Sequence, residues 1–310
     1  MGLKIKNKKG IFFTLLVIVL LSFFVLSYTF YSISGNIKNI NNRIETMNNF
    51  IFSMEKDLSR KLYIFGFREI LLLENKIIEN NLPISNVSVA FEEAFFNGTF
   101  NGVKEEILVG TTFEDMKNSI NENAKTMNMV VDFYPKKFVV KQEDPWNVKI
   151  IFDVNLVIRD EGNLAFWNKT ESIISYISIE NFEDPLYVLN TNGLVGNKIN
   201  KTIYNPLVNE NDVSNLSLHL EKSYYVASVY GPSFLDRLEG KKSSNENGIE
   251  SLVYLPKLYS QGLPIYEKSA VDYIYFSSEN PESFNVPGMP QWFRLDELHL
   301  NFYNITLSPS

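Results

Sequence analysis

The sequence predicts an α+β protein: a single N-terminal transmembrane helix continuing into a long stalk helix, then an extracytoplasmic domain with a mainly antiparallel sheet packed by helices. Three stretches predict it. Residues 11–33, IFFTLLVIVLLSFFVLSYTFYSI, carry no charge, no Gly and no Pro. Residues 37–58 place apolar side chains at alternating spacings of three and four. Residues 148–159 alternate with a period of two.

A helix needs about 20 apolar residues to cross a hydrocarbon core, and residues 11–33 meet that length. Lys4, Lys6, Lys8 and Lys9 precede the span with no acid among the first ten residues. Lysines stay on the cytoplasmic side, so residues 1–10 are expected inside the cell and the rest outside. Ten residues are too few for an internal output domain. The expected division is a basic segment 1–10, a transmembrane helix 11–33, a stalk helix 34–81 and an extracytoplasmic α+β domain 82–310. Three fates are open to the start of the chain. It stays as an uncleaved anchor, it is cut after Ser34, or it is cut between Gly10 and Ile11.

The stalk's apolar residues are Ile37, Ile40, Ile44, Met47, Ile51, Met54 and Leu58, a heptad seam over three repeats. The seam either joins a second copy or docks on the protein's own body. Beyond it Leu62, Phe65, Ile70, Leu73, Ile77 and Ile78 widen the apolar face, and Pro83 ends the helix. Val87–Phe96 reads as a helix stopped by Asn97-Gly98. Phe113–Met127 reads as a helix with a capping box from Thr111 to Glu114 and a favourable Asp115 in its first turn.

Val148, Ile150, Phe152, Val154, Leu156 and Ile158 form one wholly apolar strand face. Asp160–Asn163 turns the chain, and Leu164–Ile179 returns. Met129–Tyr134 and Lys137–Gln142, flanking Pro135, are expected as a second, smaller hairpin, giving a four-stranded meander. From Asn181 the chain is irregular. Tyr224–Tyr230, Ala270–Phe276 and Leu298–Ile305 are expected as short strands, as is Leu216–Leu220 with His219. Phe234–Leu238 and Ile249–Leu255 are expected as helical turns. No linker marks a second domain.

Hydrophobic residues are 45% of the 310, enough for a packed core. Four of the 29 basic residues precede the span, leaving 25 against 36 acidic, a net charge of −11 beyond it. That charge repels nucleic acid and anionic headgroups. Without Cys there is no thiol catalysis and no Cys-ligated metal. No phosphate loop, dinucleotide fingerprint or zinc-protease helix occurs, so no cofactor, metal or catalytic residue is assigned. His299 stands beside Asp296 and Glu297, which are placed to orient it, but no serine lies in a nucleophile-elbow setting. The acid pairs Glu92-Glu93, Glu105-Glu106, Glu114-Asp115, Glu143-Asp144 and Glu183-Asp184 lack the spacing of a calcium loop and read as solvated faces and helix N-termini. Arg237 and Arg294 lie in apolar neighbourhoods, and one is expected to pair with an acid of the other's segment. Glycosylation sequons fall at Asn86, Asn97, Asn168, Asn200, Asn215 and Asn304, all beyond the span.

The Lys8-Lys9-Gly10 leader before an apolar helix resembles that of archaeal type IV pilin-like proteins. It departs from them at Leu15, where such chains commonly carry Glu. With Asn181–Tyr187 (NFEDPLY), Gly231–Gly240 (GPSFLDRLEG), Gly248–Val253 (GIESLV), Val271–Phe276 (VDYIYF) and Trp292–Leu300 (WFRLDELHL), the chain resembles an uncharacterised group of archaeal membrane-anchored, pilin-like surface proteins. The resemblance implies a surface protein and no chemistry. The expected role is structural, adhesive or pilin-like and non-enzymatic, with the lipid bilayer as one partner and self-association through the N-terminal helix as another. The alternative is a tethered module that binds or hydrolyses an envelope carbohydrate. An aromatic cleft at Trp146, Trp167 or Trp292, lined with carboxylates, would mark it.

Overall fold

The computed structural model of the chain describes residues 8–210 and 212–306, apart from the side chains of residues 8, 9, 11, 35 and 36. Lys4 and Lys6 lie outside the described residues, as do the side chains of Lys8, Lys9 and Ile11. The fold is mixed helix and antiparallel sheet, with one long apolar helix at the N-terminus.

Helix α1 runs unbroken over Lys8–Asn80. From Phe12 to Ile33 its described side chains are exposed. Along the expected seam Ile37 is 53% exposed, Ile40, Ile44 and Ile51 are half-buried, and Met47, Met54 and Leu58 are buried within the chain itself. The helix ends where Asn81 takes a left-handed conformation (φ 51°). Helix α2 (Val87–Asn97) is capped by Asn86, whose side chain accepts from the Val89 N–H, and is closed by left-handed Gly98. A two-stranded ribbon follows, β1 (Thr99–Phe100) against β2 (Val103–Lys104). It is tied down by Glu93, which accepts from Thr99 and from the Asn101 and Gly102 N–H groups. In helix α3 (Phe113–Thr126) the capping box is one residue later than expected. Thr112 and Asp115 exchange the two bonds, while Thr111 is buried and donates to the Leu108 carbonyl.

The main sheet has three strands, in the order β3 (Met129–Asp144), β4 (Asn147–Asp160) and β5 (Phe166–Ser178). The expected hairpin at Pro135 is instead a single strand of 16 residues. The chain passes through Pro135 without turning, and the turn comes at Pro145–Trp146, between β3 and β4. β3 is an edge strand, where a missing N–H is tolerated. The apolar face of β4 is as predicted, with Val148 to Ile158 buried at every second residue.

Beyond β5 come α4 (Pro185–Asn190), α5 (Ser214–Glu221), β6 (Tyr225–Ala227), α6 (Phe234–Leu238), β7 (Ile249–Ser251), α7 (Leu255–Ser260), α8 (Asp272–Tyr275), β8 (Ser283–Asn285), β9 (Arg294–Asp296) and α9 (Glu297–Phe302). β6 pairs with β7 and β8 with β9, all antiparallel. Here four expected segments differ. Leu216–Leu220, Ala270–Phe276 and Leu298–Ile305 hold helices rather than strands, and the segment from Ile249 begins as a strand. Apolar runs this short fit either period. In α9 the cap decides, since Asp296 accepts from the His299 N–H and starts the helix, whereas α5 and α8 begin without a side-chain cap.

The chain divides into two compact units. The first takes the chain up to Lys56 with Ile120–Asp132 and Leu156–Lys169. The second takes Asp57–Ser119, Phe133–Asn155 and everything from Thr170. These boundaries fall inside helices and strands, so no linker in the sequence marks them. In the first unit Arg43 binds the Asp160 carboxylate and donates to the Met127 and Asn128 carbonyls at 2.6 and 2.8 Å.

The second unit contains a phenylalanine core of Phe65, Phe91, Phe95, Phe113, Phe138 and Phe152. Phe95 stacks on Phe138 at 4.6 Å and meets Phe65 and Phe152 edge-on at 5.0 Å. Gly66 lets α1 reach the sheet, because a Cβ there would fall 2.5 Å from Ile150 Cδ1. Gly248 is tighter still. Its Cβ would lie 2.0 Å from the Gly231 carbonyl oxygen and 2.4 Å from that of Ser228. Backbone cannot rotate away, so Gly248→Ala is expected to cost about 3 kcal/mol, at the upper end of overpacking. Urea unfolding checks this, and unchanged stability would mean that the crossing of these segments is looser than described.

Candidate functional site

Arg237 lies at the centre of the irregular half of the second unit. It sits on α6, which Ser233 and Asp236 hold in a complete capping box. Its side chain is fully buried, as are those of Asp184 and Asp272. Nη1 binds Asp184 Oδ2 at 2.5 Å and Asp272 Oδ2 at 3.0 Å. Nη2 reaches Asp272 Oδ1 at 3.4 Å and the Ile249 carbonyl, and Nε reaches the Pro232 carbonyl at 3.5 Å. All five guanidinium donors therefore have an acceptor. The Tyr225 ring lies 5.8 Å from the guanidinium, and its hydroxyl donates to Asp184. Asp184 also caps α4 through the Leu186 N–H, and Asp272 accepts from the Ser251 N–H and hydroxyl. Burial raises the Asp272 carboxyl, and Arg237 opposes the rise. Burial works against the Arg237 charge, but Asp184 and Asp272 overcome it.

The expected pairing between the two arginine segments is not formed, although Arg237 is indeed a buried, paired charge. Arg237 takes acids from the 181–187 and 271–276 segments, while Arg294 donates to Ser283 and Asn285 and has no carboxylate among the described residues. Asp184 is buried, where the sequence reading placed it on a solvated face or helix N-terminus. Only its capping role is as expected.

Asp296 does orient His299, holding Nδ1 at 2.8 Å. The second carboxylate is Glu250 rather than Glu297, with Oε2 at 3.3 Å from Nε2. Nε2 is better aligned with the Tyr273 hydroxyl at 3.0 Å. Burial disfavours the imidazolium, but the hydrogen bond to Asp296 and the nearby Glu250 carboxylate outweigh that and push His299 up to about 9. It is therefore held mainly as the cation at neutral pH. Ser269 donates to Asp296 and not to the imidazole. His219 is on α5 rather than a strand. It is fully buried, with neither ring nitrogen bonded among the described residues, and burial pushes it down to about 4.

Two buried glutamates on α1 escaped the sequence reading. Glu69 is raised by burial, with Glu105 and Glu93 adding to the rise. Glu74 is pushed up to about 9, first by burial and then by the Glu183 carboxylate. Glu74 Oε1 and Glu183 Oε2 each lack a hydrogen bond among the described residues and line one small void. Asp184 and Lys198 face the same carboxyl with opposing effects.

A groove of about 400 Å³ lies elsewhere on the second unit. Trp146, Tyr204, Tyr225, Phe302 and Tyr303 line it, with Lys201. Trp146 is set by the turn between β3 and β4, where Asp144 accepts its N–H at 2.8 Å. No carboxylate lines the groove. Trp292 packs in the core and does not contribute. Trp167 is half-buried on β5. Of the sequons, Asn86, Asn97, Asn168 and Asn304 are exposed, while Asn200 and Asn215 are half-buried with side chains donating to the Lys198 and Pro206 carbonyls.

No family model, curated protein or solved structure matches this chain. The residues alone therefore carry the functional argument.

Removing Arg237 strands two buried carboxylates. Arg237→Met is expected to cost about 3–5 kcal/mol, read by chemical denaturation, and Arg237→Lys should recover little because an ammonium offers three donors in place of five. A loss below that of an ordinary surface substitution would contradict the burial described. The pH dependence has a definite sign. The folded values of Glu74 and His299 lie above their ordinary ones of 4.5 and 6.5. Folding then takes up protons, and stability is full below the ordinary value and lost as pH rises to about 9. Unfolding free energy should fall by on the order of 2–4 kcal/mol between pH 6 and pH 9, with a flatter profile in Glu74→Gln.

Proposed function

We propose that the chain is a membrane-anchored cell-surface protein with a structural or adhesive, non-enzymatic role. The observation that carries this reading is the change of character along α1. Its most apolar window has a mean hydropathy of 2.4 and no burial at all, whereas from Met47 onward one face of the same helix, with Met47, Met54, Leu58, Leu62 and Phe65, is buried within the chain. Exposed apolar surface on this scale is costly in water, and a bilayer is the solvent that removes the cost. The lysines before the span favour an N-terminus in the cytoplasm, so the chain beyond the span lies outside, where the sequons are open to modification.

Cleavage between Gly10 and Ile11 would give a pilin-like subunit of archaeal type, whose freed apolar helix self-associates in a filament. The buried charges at Arg237 and His299 favour a scaffold over a reaction centre, since the imidazole is locked as a cation between carboxylates. A second reading, a carbohydrate-binding module, is favoured by the aromatic groove at Trp146. Hydrolysis by paired carboxylates is not, because the groove wall has none.

The protein should stay with native membranes through an alkaline carbonate wash, and protease applied to intact cells should remove the region beyond Ile33. Release by carbonate would defeat the anchoring. Intact mass then separates its two forms. A chain starting at Ile11 makes it pilin-like, and one retaining Met1 or Gly2 makes it a permanent anchor.

A further inference from the structure

The groove at Trp146 has the size and character of a ligand site. Its volume of about 400 Å³ lies in the usual range for such sites. Phe302 is 37% exposed and Ile203, between Thr202 and Tyr204, is 77% exposed. Flat aromatic faces are combined with neutral polar groups at Thr202, Asn205 and Asn304. Lys201 is the one charged residue in the lining. Its ammonium lies 5.2 Å from the Trp146 ring centroid and pairs with no carboxylate among the described residues. A cation over an aromatic face is stabilised by the ring, but its charge remains open to an anion.

That charge stands out in a region whose formal net charge is −11. An anionic ligand approaching the groove meets a lone cation and no lining acid, while the acids elsewhere repel it. The groove also discriminates by shape. Peptides commonly bind by adding a strand to an open edge, but Tyr225 pairs with Ser251 on one side and with Lys201 on the other. What is on offer is ring faces, amides and a hydroxyl, which match the apolar C–H face and the hydroxyl rim of a pyranose.

We propose that this groove binds an anionic oligosaccharide of the uronic-acid class, with a ring carboxylate on Lys201 and sugar faces against Trp146, Tyr204 and Phe302. The proposal deepens the binding-module reading and is independent of membrane anchoring, which the carbonate wash tests separately.

The test is calorimetric titration of the detergent-solubilised full chain, produced without glycosylation, against tetragalacturonic acid. A neutral galactose tetramer and tetraglutamate serve as comparison ligands. Tetragalacturonate should bind at least about tenfold more tightly than either. Lys201→Gln should lose about tenfold and remove the salt dependence. Trp146→Ala should lose more, and Lys201→Gln, at an exposed position, keeps the test valid if Trp146→Ala fails to fold. Four results would overturn the proposal. They are no binding of tetragalacturonate at millimolar concentration, equal binding of the neutral tetramer, equal binding of tetraglutamate, and an unchanged affinity in Lys201→Gln.

Discussion

The burial of Arg237 between Asp184 and Asp272 is the constraint on which the irregular half of the second unit depends. Taking three charges out of water costs several kcal/mol per ion, and attraction offsets that only when every donor is satisfied. Satisfaction here requires four separate segments to arrive together: the cap of α4, the Pro232 carbonyl, the start of β7 and the start of α8. A chain that misplaced any one of them would hold an unmet charge in its core. The arrangement therefore penalises alternative packings more strongly than it stabilises the native one.

This matters because the same region has little sheet to hold it. Strands β6 to β9 are three residues each. Side-chain bonds to backbone take the place of long ladders, as where Lys268 closes the end of α8 by donating to the carbonyls of Ile274, Tyr275 and Ser277. The polar network also reaches the groove from behind. Tyr225 and Tyr303 contribute to its wall, and their hydroxyls are fixed on Asp184 and Glu250. The aromatic wall is thus held by bonds that a ligand does not touch, which is how a binding surface is kept preorganised.

The parts of the fold that could be read from sequence are those with sustained periodicity. Helix α1 and the apolar face of β4 repeat their signal over many residues, and both were legible. Short apolar runs were not. Leu298-His299-Leu300 alternates like a strand, yet Asp296 turns it into a helix by binding the His299 N–H. Pro135 reads as a turn because proline punctuates chains, but it lies on an edge strand, where a missing N–H breaks no ladder. The charge centre was half legible. Charged residues in apolar surroundings marked Arg237 as a residue in need of a partner, but sequence does not show which of many acids is brought to it. Glu74 and Glu69 gave no signal at all, since glutamate is an ordinary residue on a helix and only packing shows these two buried. The groove was equally hidden, assembled from residues 146, 201–208, 225–227 and 302–304, which are adjacent only in space.

The length of α1 has a mechanical consequence. At 1.5 Å per residue its 73 residues make a rod of about 110 Å. Force applied at its apolar end travels through hydrogen bonds in series, so the rod yields at its weakest stretch. Around residues 34–42 the described side chains are largely exposed, and the sequence is rich in Asn, a mediocre helix former. Under tension that stretch should unwind first, and each residue that passes from helix to extended chain lengthens the tether by roughly 2 Å. The helix would then lengthen at this stretch before its buried part, at Met47, Met54 and Leu58, gives way.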